Sequence, residues 1–342
     1  MTGQSEYKQI GFIGLGAMGR PMAANLAGHL HRASSPAKIH VYDVVSAPVD
    51  ELHSSFPDII IKCTSPRDVA ERSNVIFTML PEGSHVKSVY LDPSNGIITA
   101  LSPSRSPPPA PILLIDCSTI DTATHLLVKS TLSEVSQTDI RFYDAPVSGG
   151  VIGARNGTIA FFLGCTVEDD FFPHLQLLLG HMGKEIVPCG GPSLGLAAKL
   201  ANNYLSGTIT IACAEAMDMG MRAGIHPAVL KNVFSAGTAQ NRICDDFNPV
   251  PGVCPNAPPS HGYKGGFRVQ LMRKDIGLAV DMARRVGARN VLGVSTLGVY
   301  AAASEAADCK DLDSRVVFRF LGGMEDMNQR IEAEVKMEEG VE

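Results

Sequence analysis

Residues Ile10 to Leu15 are apolar and β-prone, and beyond them Met18, Met22, Leu26 and Leu30 recur at every fourth position. The first pattern predicts a buried strand and the second one face of a helix. His40–Asp43 predicts a second strand, and Asn74–Leu80 another, closed by Pro81. Ile112–Asp116, Ile140–Asp144, Thr158–Gly164 and Glu185–Pro188 read as further strands. Ser65 followed by Pro66 predicts a short helix through Arg72, with the serine as N-cap and the proline at the first helical position. Strands alternating with helices predict an α/β fold, a mostly parallel sheet wrapped by helices.

After Gly190-Gly191-Pro192 the strand signals stop. Leu194–Arg222 predicts one long helix, roughly 40 Å at about 1.5 Å per residue. Further helices are predicted near Pro227–Ser235, Val269–Val286, Val291–Ala307 and Ser314–Leu321. Asp245–Gly266, rich in proline and glycine, predicts an ordered loop or a lid. The expected organisation is an N-terminal α/β domain over 8–191 and an all-α domain over 192–335, joined by the long helix. Ser102–Pro111 carries five prolines and three serines and predicts an exposed insertion of polyproline character. A docking ligand for a partner is the alternative there.

Composition narrows the function classes. A formal charge of −6 argues against a general nucleic-acid binder, because phosphate binding needs a basic face. Eight widely spaced cysteines, without CxxC or HExxH, give no expectation of a metal site. They read as reduced thiols of an intracellular protein. Only eight residues precede the first strand, one of them Glu6, so no presequence is expected. No apolar run reaches membrane-spanning length.

Gly14-Leu15-Gly16-Ala17-Met18-Gly19 is a GxGxxG between a strand and a helix, the context in which the pattern cradles a dinucleotide pyrophosphate. A glycine turn without ligand is the alternative. Asp43 ends the second strand, where a carboxylate accepts from the adenosine ribose hydroxyls, or else serves as a turn residue. A 2′-phosphate would meet that negative charge with no cation among Val44, Val45 and Ser46, which favours NAD over NADP.

Lys199 is the only charged side chain between Leu194 and Ala214. A helix apolar nearly all round is expected to be buried, and a buried ammonium needs partners or a reason. Asn203, Ser206 and Thr210 continue its face. This polar seam suits the wall of a substrate site; the alternative is a lysine snorkelling to water. Ser118 follows one strand and Ser148-Gly149-Gly150 another, at carboxyl ends where open α/β sheets bind ligands. The serine with two glycines suits an anion such as a carboxylate, or is simply a tight turn. Lys274 shares a helix row with Leu271, Leu278 and Met282 and so interrupts an apolar face, unless it pairs with Asp275 or Asp281.

Taken together, these segments resemble the β-hydroxyacid dehydrogenase family over nearly the whole chain. Gly11–Met22 resembles its amino-terminal signature, Asp144–Gly157 its substrate-binding segment and Gly195–Asn203 its catalytic segment. Asn248–Val253, Tyr263–Phe267 and Leu271–Asp275 narrow the likeness to the branch acting on 3-hydroxyisobutyrate. The resemblance implies a Rossmann-type domain, a long interdomain helix and a helical domain for substrate and dimer contacts. It implies NAD-dependent oxidation of a small β-hydroxy acid by a homodimer or homotetramer. Lys199 matches the essential acid/base lysine and Asn203 the asparagine that orients it or the substrate. Ser118, Ser148, Gly149 and Gly150 match substrate contacts. Leu80, Pro81, Thr119 and Lys274 match cofactor contacts, and His85 stands where close relatives have an asparagine. Relatives in valine breakdown are often mitochondrial; a cytoplasmic protein is the alternative. Reductases of succinic or tartronic semialdehyde are the competing enzymes, which Asp43 disfavours. The 6-phosphogluconate dehydrogenases carry a histidine after the lysine, whereas this run is Lys199-Leu200-Ala201-Asn202-Asn203. A non-catalytic NAD-binding scaffold is the alternative outside enzymes.

Overall fold

The apolar runs of the first half pair side by side. The structure, a computed structural model, describes residues 9–33, 35–101, 111–135 and 139–326. Strands β1 (Gln9–Ile13), β2 (Lys38–Tyr42), β3 (Ile60–Lys62), β4 (Val75–Thr78), β5 (Ile112–Asp116) and β6 (Ile140–Asp144) form one parallel sheet, in the order β3-β2-β1-β4-β5-β6. That order, with a reversal between β1 and β4, is the Rossmann arrangement. Strand residues alternate between two cores, as the period of two requires. Phe12, Phe77 and Ile115 join one cluster, and Ile13, Ile76 and Leu114 the other. Both faces are covered, so the strands read as unbroken apolar runs.

Helices α1 (Gly19–Arg32), α2 (Ser46–Ser55), α3 (Pro66–Arg72), α4 (Gly83–Leu91), α5 (Ile97–Ala100) and α6 (Thr122–Val135) lie between these strands. The predicted stripe of α1 is the buried one: Met22 and Leu26 are fully enclosed against the sheet. Ser65 caps α3 as expected, its hydroxyl accepting the Asp68 N–H at 3.1 Å. The proline-rich segment, residues 102–110, lies outside the described residues.

Two expected strands belong elsewhere. β7 (Val147–Ser148), β8 (Ile159–Leu163) and β9 (Gly183–Pro188) make a separate three-stranded sheet, β7 antiparallel to β8 and β8 parallel to β9. Helix α7 (Gly150–Asn156) links β7 to β8 and α8 (Phe172–Gly180) links β8 to β9. The short strand β3 was not anticipated; three residues carry too little periodicity to declare themselves.

The chain divides into two compact units, residues 1–199 and 200–342, with the break inside helix α9 (Leu194–Arg222). The second unit is helical among its described residues: the rest of α9, α10 (Pro227–Ala236), α11 (Arg242–Asp246), α12 (Val269–Arg285), α13 (Gly293–Glu305) and α14 (Val317–Phe320). The proline- and glycine-rich stretch after α11 is ordered by internal bonds. Tyr263 donates to the Pro249 carbonyl at 3.1 Å, and buried Asp313 accepts the Phe267 N–H at 2.8 Å and the Arg315 guanidinium. Helix α9 is not enclosed on every side, since Leu205 and Met219 are 59% and 71% exposed.

Leu26 is fully buried between α1 and the sheet. Leu26→Ala is expected to cost about 2–5 kcal/mol through lost burial and a cavity, read as a lower urea midpoint for unfolding of the first unit.

Candidate active site

The turn after β1 is built by close backbone approach. Gly14 has φ +92°, and a Cβ there would strike the Met79 carbonyl. A Cβ on Gly19 would fall on the Gly14 carbonyl oxygen. Gly16 is exposed with nothing within 4 Å of where its Cβ would stand, so the turn is compressed inward and open outward. Leu15 is buried while Ala17 and Met18 reach the surface at the start of α1. This is the cradle a pyrophosphate needs. Asp43 secures it: one carboxylate oxygen accepts the Leu15 N–H at 2.6 Å and the other the Val45 N–H at 2.8 Å.

A pocket of ≈ 440 Å³ runs from Leu15, Gly16 and Ala17 along α1 and α2 to Val151 and Arg155 of α7. Neither Ser118 nor Lys199 lines it; it runs along the flank of the turn.

At the ends of β4 and β5 a buried network forms. The Ser118 hydroxyl accepts the Leu80 N–H at 2.8 Å and donates to Asp116 Oδ1 at 2.6 Å. Thr78 donates to that same oxygen at 2.7 Å and pairs with the Tyr90 hydroxyl at 3.0 Å. Ser118 is fully buried, and its hydroxyl holds the strand end that presents half-buried Leu80 and exposed Pro81. Thr119 is half-buried beside it. His85 is exposed on α4, with Nδ1 3.6 Å from Glu82. Burial pushes the Asp116 carboxyl up to about 6, against the lowering effect of Ser118 and Thr78.

Ser148 is half-buried on β7, paired with Ala160 of β8. Gly149 and Gly150 follow at φ +131° and +62°, and the space at Gly150 is open. Asp144, at the end of β6, accepts the Ser193 and Leu196 N–H groups, each at 2.8 Å, at the start of α9. Lys199 follows on that helix and is buried, with 7% exposure.

In the second unit, the Asn203 side chain donates to Asp275 Oδ2 at 2.6 Å, and Lys274 Nζ lies 3.2 Å from Oδ1 of the same carboxylate. Asp275 is therefore the centre of this group, a residue that the sequence offered only as one of two partners for Lys274. The buried row of α12 is Met272, Asp275, Ile276, Ala279, Val280 and Ala283. The Leu271 row is half-exposed, so Lys274 flanks the buried face, and Asp275 is the charge that interrupts it.

The family model described as the NAD binding domain of 6-phosphogluconate dehydrogenase matches residues 9–191. That described as NAD-binding of NADP-dependent 3-hydroxyisobutyrate dehydrogenase matches residues 194–321. The human mitochondrial 3-hydroxyisobutyrate dehydrogenase is 38% identical over 313 residues, covering 91% of this chain and 86% of the relative. The chain belongs to the 3-hydroxyisobutyrate dehydrogenase family. Among solved structures of that family, the Mycobacterium tuberculosis 3-hydroxyisobutyrate dehydrogenase with L-serine matches with a TM-score of 0.80 and 31% identity, over 92% of this chain and 99% of that one. An NAD-dependent L-serine dehydrogenase of Pseudomonas aeruginosa is 35% identical over 86% of this chain and 91% of its own length. Among the described residues no group of three or more His, Cys, Asp or Glu side chains is placed to hold a metal ion, and no helix is long and apolar enough to cross a membrane.

Asp116 gives a pH test. Its proton is held to about 6 in the folded chain against an ordinary 3.8. Between those values the folded state binds more protons than the unfolded one, so this residue's contribution to stability falls as pH rises. Asp116→Asn keeps an acceptor for Thr78 and Ser118 and puts an amide nitrogen where Oδ2 has no hydrogen-bond partner. The Tm of Asp116→Asn, relative to the parent, is expected to rise from pH 4 to pH 7; a flat difference removes this assignment.

Proposed function

We propose that the chain oxidises 3-hydroxyisobutyrate to methylmalonate semialdehyde with NAD, and that Lys199 moves the proton. The observation that carries this reading is the burial of Lys199, the one cation in the first five turns of α9, on a helix fastened to the strand end beside the Ser148–Gly150 turn. NAD, when bound, supplies the hydride acceptor. Gly14, Leu15, Gly16, Ala17, Met18 and Gly19 would hold its pyrophosphate, and Asp43 its adenosine ribose, in keeping with the open turn. Leu80, Pro81, His85, Thr119 and Lys274 would complete the dinucleotide's surroundings. The model matching the helical half carries NADP in its description; Asp43 is the reason to assign NAD, since its carboxylate repels a 2′-phosphate.

In this reading the substrate carboxylate rests on Ser148 and on the backbone N–H groups at Gly149 and Gly150, with Ser118 behind it. The Lys199 amine accepts the proton of the substrate hydroxyl as the C–H bonding pair leaves as hydride and the C=O bond forms. Base catalysis requires the neutral amine. In reverse, the ammonium donates that proton to the carbonyl oxygen. Asn203, held by Asp275, orients this group. The segment from residue 192 onward supplies the substrate side and the subunit contact of a homodimer or homotetramer. Exposed Leu205 and Met219 supply apolar surface for that contact. The mitochondrial compartment is carried over from the human relative's name.

Lys199→Ala is expected to lower kcat by at least ~100-fold while leaving NADH binding, read by fluorescence, unchanged. Retained turnover removes Lys199 from the mechanism. A substrate panel followed by NADH or NADPH absorbance tests the rest: 3-hydroxyisobutyrate with NAD should give the highest kcat/KM. L-serine is the second reading, favoured by the Pseudomonas relative, and a higher kcat/KM for serine replaces the first.

A further inference from the structure

The mechanism uses the Lys199 amine but leaves open what sets its position. We propose that Asp144 is the positioning residue for Lys199, acting through the start of α9; this rests on the reading of Lys199 as the proton-transfer group.

A helix begins with N–H groups that have no partner inside the helix. They are usually met by a capping side chain from the residue just before the helix. Here the acceptor comes from a distant strand. Both oxygens of the Asp144 carboxylate are used, Oδ1 on the Ser193 N–H and Oδ2 on the Leu196 N–H, each at 2.8 Å. Asp144 has no exposed surface. Its negative charge also faces the positive end of a 29-residue helix dipole. Ser193 holds the left-handed φ of +66°, which a serine adopts only under constraint, and its N–H is one of the two held.

No slack exists around this clamp. A Cβ on Gly164, at the end of β8, would fall on Asp144 Oδ1. A Cβ on Gly195 would fall on the Phe162 carbonyl oxygen and stand 2.9 Å from Asp144 Oδ2. The segment entering α9 is tied to the same strand end, with the Cys189 N–H on the Leu163 carbonyl at 2.8 Å and the Gly190 N–H on the Cys165 carbonyl at 3.0 Å. On the other side His125, itself fully buried and stacked on Phe142, brings Nε2 to 3.5 Å from Oδ1. Gly195 lies one turn before Lys199 on the same helix face. Fixing Gly195 and Leu196 therefore fixes the Cα from which the lysine reaches. A catalytic group displaced by ~1 Å loses rate on the order of 100-fold without losing its chemistry.

The test is a double-mutant cycle with Lys199, followed by kcat, substrate KM, NADH Kd and thermal melting. Asp144→Ala is expected to lower kcat ~100-fold with NADH Kd unchanged. Asp144→Asn should recover part of that loss, because its amide oxygen still accepts one of the two N–H groups. In the Lys199→Ala background, Asp144→Asn should cost nothing further, since the group it positions is gone. An equal loss in both backgrounds, or NADH binding falling in step with kcat, makes Asp144 a general structural residue and overturns the proposal. Parental kcat in Asp144→Ala, with kcat lost in Lys199→Ala, overturns this inference alone. Parental kcat in Lys199→Ala overturns the reading beneath it as well. If Asp144→Ala does not fold, Asp144→Asn carries the same cycle.

Discussion

Two carboxylates with no exposed surface, Asp116 and Asp144, stand side by side at the ends of β5 and β6. Burying a carboxylate is costly unless hydrogen-bond donors replace water. The donors here are backbone N–H groups and hydroxyls that belong to neighbouring segments: Thr78, Ser118, Ser193 and Leu196. Each carboxylate thus ties a separate piece of chain to the sheet edge, Asp116 the end of β4 and Asp144 the start of α9. Lys199, proposed for proton transfer, lies on the helix that Asp144 ties.

The glycines are the second half of the same constraint. Polar atoms buried at these strand ends find their partners only if the backbone comes closer than any side chain permits. Gly14 and Gly19 allow this at the first turn, and Gly164 and Gly195 allow it around Asp144. The two sets do different work. The first leaves an open surface above Gly16, whereas the second leaves no space at all.

Much of this was legible in the chain. The bounds of β5 and β6 match the sequence pattern residue for residue and α9 begins at the expected Leu194, because each run is closed by residues that break its pattern. The glycine turn declared itself by spacing, and Asp43 by its place at the end of β2, where both its oxygens accept loop N–H groups. Strand membership did not: β8 and β9 read as part of the main sheet because a strand's pattern reports burial, not which neighbour it pairs with. The helix face that carries Lys274 was misread for a related reason, while its pairing with Asp275 was one of the alternatives offered. Two rows of α12 lie side by side, and the one ending in Met282 looked apolar while the buried one contains an aspartate. The Asn203 amide, 72 residues away in sequence, and the neighbouring Lys274 ammonium meet the carboxylate there. The Ser118 hydroxyl is likewise spent on Leu80 and Asp116, a demand of burial that spacing does not reveal.

Position 43 joins a proposed duty toward the cofactor to one in the backbone. Its side chain already accepts two main-chain N–H groups, from Leu15 and Val45. A cofactor swap engineered there by removing the acid releases the very loop meant to receive the new dinucleotide. Redesign of coenzyme choice in this scaffold must therefore supply replacement acceptors for those amides before it supplies a cation for a 2′-phosphate.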